Sequence, residues 1–146
     1  MAGAFNLENE VFKSFLACGA AVVIKMQCMG PITSFQRAKH KAWTNPEDAR
    51  ARGKEPKYSE DVERVRRCHL NDLENIPAFL ALGAMYVATN PSPTAAIWHF
   101  RVFLVSRILH TFFYLKGKQP GRAICYIVGA LVNVSMAIHT LCTVFS

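Results

Sequence analysis

Acidic side chains are scarce in this sequence: ten Asp and Glu stand against 17 Lys and Arg in 146 residues, a formal net charge of +7. Such a balance would suit nucleic acid, but the basic residues fall between hydrophobic runs and not on a separate polar domain, which argues against that partner. A CxxC pair is also missing. The five cysteines (Cys18, Cys28, Cys68, Cys125 and Cys142) are odd in number, and four of them lie in apolar runs. Neither a disulfide framework nor a zinc or other metal site is favoured, and reduced packing residues are the simplest reading. No basic segment precedes the first apolar run, where Glu8 and Glu10 stand, and no small-residue cleavage site follows it. A cleavable leader is therefore not expected.

Apolar residues make up 51% of the chain and are bunched. About 20 residues cross a hydrocarbon core, and four segments approach or exceed that: about 12–35, 73–88, 94–115 and 123–145, with a polar connection over 36–62. The expectation is one domain over 1–146. Lys25 near the middle of the first span must snorkel or meet a carboxylate, and Asp72 and Glu74 are the candidates. Pro31 should loosen the first span, and Pro77 should kink the second.

Val62–Pro77 is crowded with charge and runs straight into an apolar segment. At about 100° per residue, Arg64, Arg67, Asn71 and Glu74 share one helical face. Guanidinium forks, an amide and a carboxylate on one stripe suit a small zwitterionic, peptide-like ligand. The alternative is a set of intrahelical ion pairs on a solvated face. In the third span His99, Phe103, Arg107, His110 and Tyr114 fall on one side, with Arg101 well away. They belong either to a site or to a hydrogen-bonded seam between helices. In the fourth, Arg122, Tyr126, Gly129, Asn133 and Thr140 form a second stripe.

The loops assign an orientation. Ten Lys and Arg lie in Arg37–Arg67 and three more in Lys116–Arg122, while the turn near 88–93 and the C-terminus hold none. Both basic loops are expected in the cytosol, with both termini opposite. Arg64–Glu74, Arg107–Tyr114 and Arg122–Tyr126 then approach one membrane surface.

On these residues the chain resembles the MAPEG superfamily, the membrane-associated proteins of eicosanoid and glutathione metabolism. The similarity is stronger to its microsomal glutathione transferases than to its prostaglandin E synthases. It is carried by Glu10-Val11-Phe12, Lys25-Met26, Asn45-Pro46-Glu47-Asp48, the long block Val62–Ile76, His99-Phe100-Arg101, Arg107, His110-Thr111, Tyr114-Leu115, Gln119-Pro120 and Arg122-Ala123. The resemblance implies an all-α integral-membrane four-helix bundle assembled as a homotrimer in the endoplasmic reticulum membrane. The mitochondrial outer membrane is a second candidate location. Glutathione would lie between subunits near the cytosolic face, as co-substrate. Arg37, Arg67, Asn71, Glu74, His110 and Tyr114 match glutathione-site positions, with His69, Arg107 and Tyr126 as further members. Arg122 matches the arginine assigned to the thiol.

Three departures bear on mechanism. Ala123 stands where the prostaglandin synthases carry a serine proposed to act with the arginine, so a serine-assisted isomerase is disfavoured. Pro77 comes one residue earlier than in the relatives. Ala49 replaces a reactive cysteine of the transferases, so no thiol-triggered activation is expected there. The expected function is a microsomal-type glutathione transferase of detoxification, with peroxidase activity on lipid hydroperoxides and membrane lipid as its surroundings. Its acceptor would be a lipophilic electrophile. The alternatives are a glutathione-dependent isomerase of prostaglandin E synthase type, a lipid-binding scaffold without catalysis, and a small channel.

Overall fold

The computed structural model describes residues 3–146, which form five helices and, among the described residues, no strand. They are α1 (Glu10–His40), α2 (Pro46–Arg50), α3 (Glu60–Ala88), α4 (Pro93–Leu115) and α5 (Gly121–Phe145). Four are long. The fifth, α2, spans five residues and starts on a proline at its first position, where the missing N–H costs nothing.

Local chemistry sets the ends of α1. The Asn9 side chain accepts from the Val11 and Phe12 backbone amides at 2.9 and 3.3 Å, satisfying two of the donors a helix start leaves free. Lys41, with φ of 50°, stops the helix in the left-handed region. Arg37, Lys39 and His40 in its last turn complement the negative end of the helix dipole. With 31 residues, α1 is about 46 Å long, more than a hydrocarbon core of about 30 Å needs.

Helix α1 continues to His40, past the expected end of the span near 35; α3 begins at Glu60, one turn before the charged stripe at Arg64 and ahead of the apolar segment, and the short α2 starts at the Asn45-Pro46 helix-start signal within the connection. The helices also run unbroken through Pro31 and Pro77, because each is long and packs along its neighbours on both sides of the proline. By length and composition α1 and α5 are apolar enough to cross a membrane, with mean hydropathy 1.6 and 1.8. Helices α3 and α4 fall short because Arg64–Glu74 and Arg101, Arg107, His99 and His110 dilute them.

Around the bundle the order is α1, α3, α5, α4, with α3 and α4 also touching across the centre and α1 and α5 apart. Successive long helices are antiparallel, so both basic connections, before α3 and before α5, lie at one end. The core is aromatic. Phe79 of α3 stacks on Phe103 of α4 with centroids 4.0 Å apart, and Phe15 of α1 sits 5.4 Å from Phe100. Gly83 makes room for Phe15, since a Cβ there would lie 2.4 Å from the ring. Gly83→Ala should therefore destabilise the protein by about 1–3 kcal/mol. Thermal unfolding in detergent checks this, and an unchanged midpoint would show the contact to be slack.

Candidate functional site

At the end of the bundle that carries the basic connections, α3, α4 and α5 enclose a cleft of about 320 Å³. Its walls are Asn71, His110, Tyr114, Arg122, Tyr126, Gln119 and Ala123. His110 and Tyr114 are four residues apart on α4, as are Arg122 and Tyr126 on α5, so each pair shares a helix face.

The turn between α4 and α5 fixes the cleft's roof. Gly117 adopts φ of +65°, and a Cβ there would meet Arg64 Nη1 at 3.1 Å. The position asks for glycine on conformation and on space alike. Just beyond, the Arg122 guanidinium lies 4.8 Å over the Tyr114 ring, a cation–π contact. With its amide oxygen turned to that guanidinium, Gln119 accepts from Arg122 Nη2 at 2.6 Å and Nε at 3.3 Å. The ring and the amide hold Arg122 from two sides. Of its five N–H donors, those not taken by Gln119 remain for an anion.

Behind the cleft sits Arg107, fully buried. Its Nη1 donates to Asn71 Oδ1 at 3.1 Å and its Nη2 to the Cys125 carbonyl at 3.3 Å. Because the Asn71 oxygen is occupied in this way, its NH2 donors are the part left for a ligand. Gly129 leaves space for this arginine, as a Cβ there would lie 3.1 Å from Arg107 Nη2. Arg107 thus braces the cleft from behind.

Arg67 is exposed at the rim. It donates to Glu60, and the Tyr58 hydroxyl donates to the same carboxylate at 2.6 Å. These two donors, Tyr58 foremost, hold the Glu60 carboxyl below its ordinary range. Deeper in the bundle, Lys25 Nζ bonds Asp72 Oδ2 at 2.5 Å, with the Asp72 side chain fully buried. Of the two carboxylates proposed for Lys25 it is Asp72 that pairs, whereas Glu74 is exposed on α3.

Not every residue picked out in the sequence reaches the cleft. Arg37 lies with Trp43, Asp48 and Arg52 in a separate depression of about 290 Å³ beside the α1–α3 connection. There its Nε is buried and has no partner among the described residues. His69 and Arg67 both border a third depression, with Glu63, Arg66 and Leu70, on the outer side of α3, so Arg67 does not line the cleft itself. Sequence reasoning missed Gln119 as a site residue. Its signal was present in the Gln119-Pro120 match one turn before Arg122. It also missed Tyr58 and Glu60, which only the folded start of α3 brings to Arg67. Among the described residues no group of three metal-ligating side chains comes together. Among the described residues no carboxylate lines the cleft, which is cationic through Arg122 and the nearby Arg67 and Arg107.

A family model described as "MAPEG family" matches residues 15–142. The chain is 44% identical over 142 residues to the "Microsomal glutathione S-transferase 1" of Homo sapiens, and equally to that of Bos taurus, with 92% of each chain covered. It is 42% identical over 139 residues to the "Prostaglandin E synthase" of Homo sapiens, covering 92% of this chain and 91% of the relative.

Proposed function

The chain belongs to the MAPEG family, and from that premise we propose that it is a membrane-bound glutathione transferase that activates the glutathione thiol against lipophilic electrophiles. The observation that carries the reading is the Arg122 guanidinium, held by Tyr114 and Gln119 at the mouth of a cationic cleft. A thiol near pKa 8.5 is only a few per cent thiolate at neutral pH, and a guanidinium against the sulfur favours the charged form. Asn71, His110, Tyr114 and Tyr126 would hold the peptide, with Arg67 taking a carboxylate at the rim, so that an encounter becomes an oriented approach.

Two outcomes follow for the bound thiolate. Attack on an electrophilic carbon forms a thioether. Attack on the outer oxygen of a lipid hydroperoxide releases the alcohol and oxidises that glutathione, and a second glutathione completes the disulfide with loss of water. Ala123 beside Arg122 offers no hydroxyl, which favours transfer over a serine-assisted isomerisation.

Arg37 and His69 line other depressions, and Glu74, on the stripe that carries Asn71, is exposed outside the cleft. A site shared between copies would gather them from a neighbour, so a homotrimer belongs to this proposal, as does residence in the endoplasmic reticulum membrane. The test is ultraviolet difference absorbance of thiolate when glutathione is added to the detergent-solubilised protein, followed by turnover with a lipophilic electrophile and with a lipid hydroperoxide. A saturable thiolate signal with glutathione consumed in turnover is expected. Turnover of a prostaglandin endoperoxide without consumption would favour the isomerase, and absence of glutathione binding would favour the lipid-binding scaffold.

A further inference from the structure

A second concavity lies on the face of the α4–α5 pair turned away from the cleft, with a volume of about 360 Å³. Val102, Val105 and Leu109 of α4 and Ile124 and Val128 of α5 form its walls, and Trp98 and Arg101 stand towards one end. The polar groups along it are turned inward: the Ser106 hydroxyl donates to the Phe103 carbonyl at 2.7 Å, and the Cys125 carbonyl accepts from Arg107. What remains is a groove of carbon surface on a helix pair of a membrane-protein family.

Arg101 is the exception. It is exposed, eight residues into α4, and so about 12 Å from the start of the helix. It takes part in none of the ion pairs among the described residues. Of the other deep cations of the bundle, Lys25 is paired with Asp72, and Arg107 donates to Asn71 and a carbonyl while its Nε has no partner among the described residues. A guanidinium at such depth in a span is costly enough to call for an anionic partner.

We propose that this groove binds a long-chain fatty acid, with the carboxylate on Arg101 and the alkyl chain lying between α4 and α5 towards Leu109 and Ile124. The chemistry selects this occupant. A planar guanidinium matches a carboxylate with two parallel hydrogen bonds. One cation stands at the end of one narrow furrow between two adjacent helices, which accommodates a single chain and a single negative head. From Arg101 to Leu109 the furrow offers about 12 Å of apolar wall. The exposed Trp98 indole borders the end that holds the charge, as an amphipathic ring does where apolar surface meets a polar head. The site shares no residue with the cleft and stands whether or not the transferase reading does.

The two tryptophans, Trp43 and Trp98, make the test direct. In Trp43→Phe protein embedded in phosphatidylcholine nanodiscs, stearate brominated close to its carboxyl end should quench Trp98 fluorescence saturably with its mole fraction in the bilayer. Arg101→Gln and the methyl ester of the same acid should each weaken binding about tenfold or more, while Arg101→Lys should retain most of it. Circular dichroism confirms that each variant is folded. Quenching that rises linearly without saturating, that is equal for acid and ester, or that persists unchanged in Arg101→Gln would overturn the proposal. A groove unquenched by any probe would mean that another copy covers it, and would overturn it equally.

Discussion

Arg122→Ala should remove most of the thiolate absorbance of bound glutathione at pH 7 while leaving glutathione binding measurable. An arginine beside a thiol lowers its pKa by about 1–3 units. Taking two units, a thiol near pKa 8.5 falls to about 6.5, and the thiolate fraction at pH 7 goes from about 3% to about 75%. The variant should therefore lose roughly 25-fold in thiolate. The direction is that of any depressed acid: the activated form is present above the lowered pKa, and the substitution moves the midpoint upward by about two units. Turnover at pH 7 should fall less than the absorbance does, because a more basic thiolate is a better nucleophile, with a Brønsted slope of about 0.4–0.5. That offset is roughly eightfold for two units, so the pH profile of turnover discriminates better than a rate at one pH. Arg122→Lys should recover part of the pKa shift and little of the orientation, since an ammonium lacks the planar fork that Gln119 and the Tyr114 face hold. An Arg122→Ala protein with the thiolate signal of wild type would remove the arginine from the mechanism.

Much of this arrangement is legible in the sequence. Helical spacing alone put His110 with Tyr114 and Arg122 with Tyr126, and the distribution of basic residues put α3, α4 and α5 stripes at one end, because charge cannot be spread freely along spans. The bundle was legible for the same reason. Side-chain destinations were not. Arg64 and Arg67 occupy one stripe, yet Arg64 goes to the Gly117 turn and Arg67 to Glu60, a choice set by the loop and by the early start of α3. Glu74 shares that stripe but is exposed, because the helices that cover Asn71 do not reach it. Arg107 lies on the expected face of α4, and only the neighbouring Gly129 and the Cys125 carbonyl let it sink below the cleft floor.

Breaking the Lys25–Asp72 pair should cost more stability than any other single change to the polar interior. Asp72 is fully buried and Lys25 retains 14% side-chain exposure, so the two partners are not equivalent. Lys25→Met strands a carboxylate whose second oxygen already lacks a partner among the described residues. The expected loss is about 3–5 kcal/mol. Asp72→Asn strands a lysine that can extend towards the polar surface, and should cost less. Replacing both, as Lys25→Met with Asp72→Leu, removes the desolvated charges together and should recover most of the loss, because a buried pair exchanged for apolar groups of similar volume is often neutral. The cycle of two single variants and the double, followed by thermal unfolding in detergent, isolates the coupling. A Lys25→Met protein that melts with wild type would show that the pair contributes nothing to stability. Asn71, the cleft residue braced by Arg107, immediately precedes Asp72 on α3. The α1–α3 bond therefore also sets the rotation of the helix that presents Asn71. The double variant should regain stability yet bind glutathione more weakly than wild type, since apolar contact holds the two helices together without fixing that rotation.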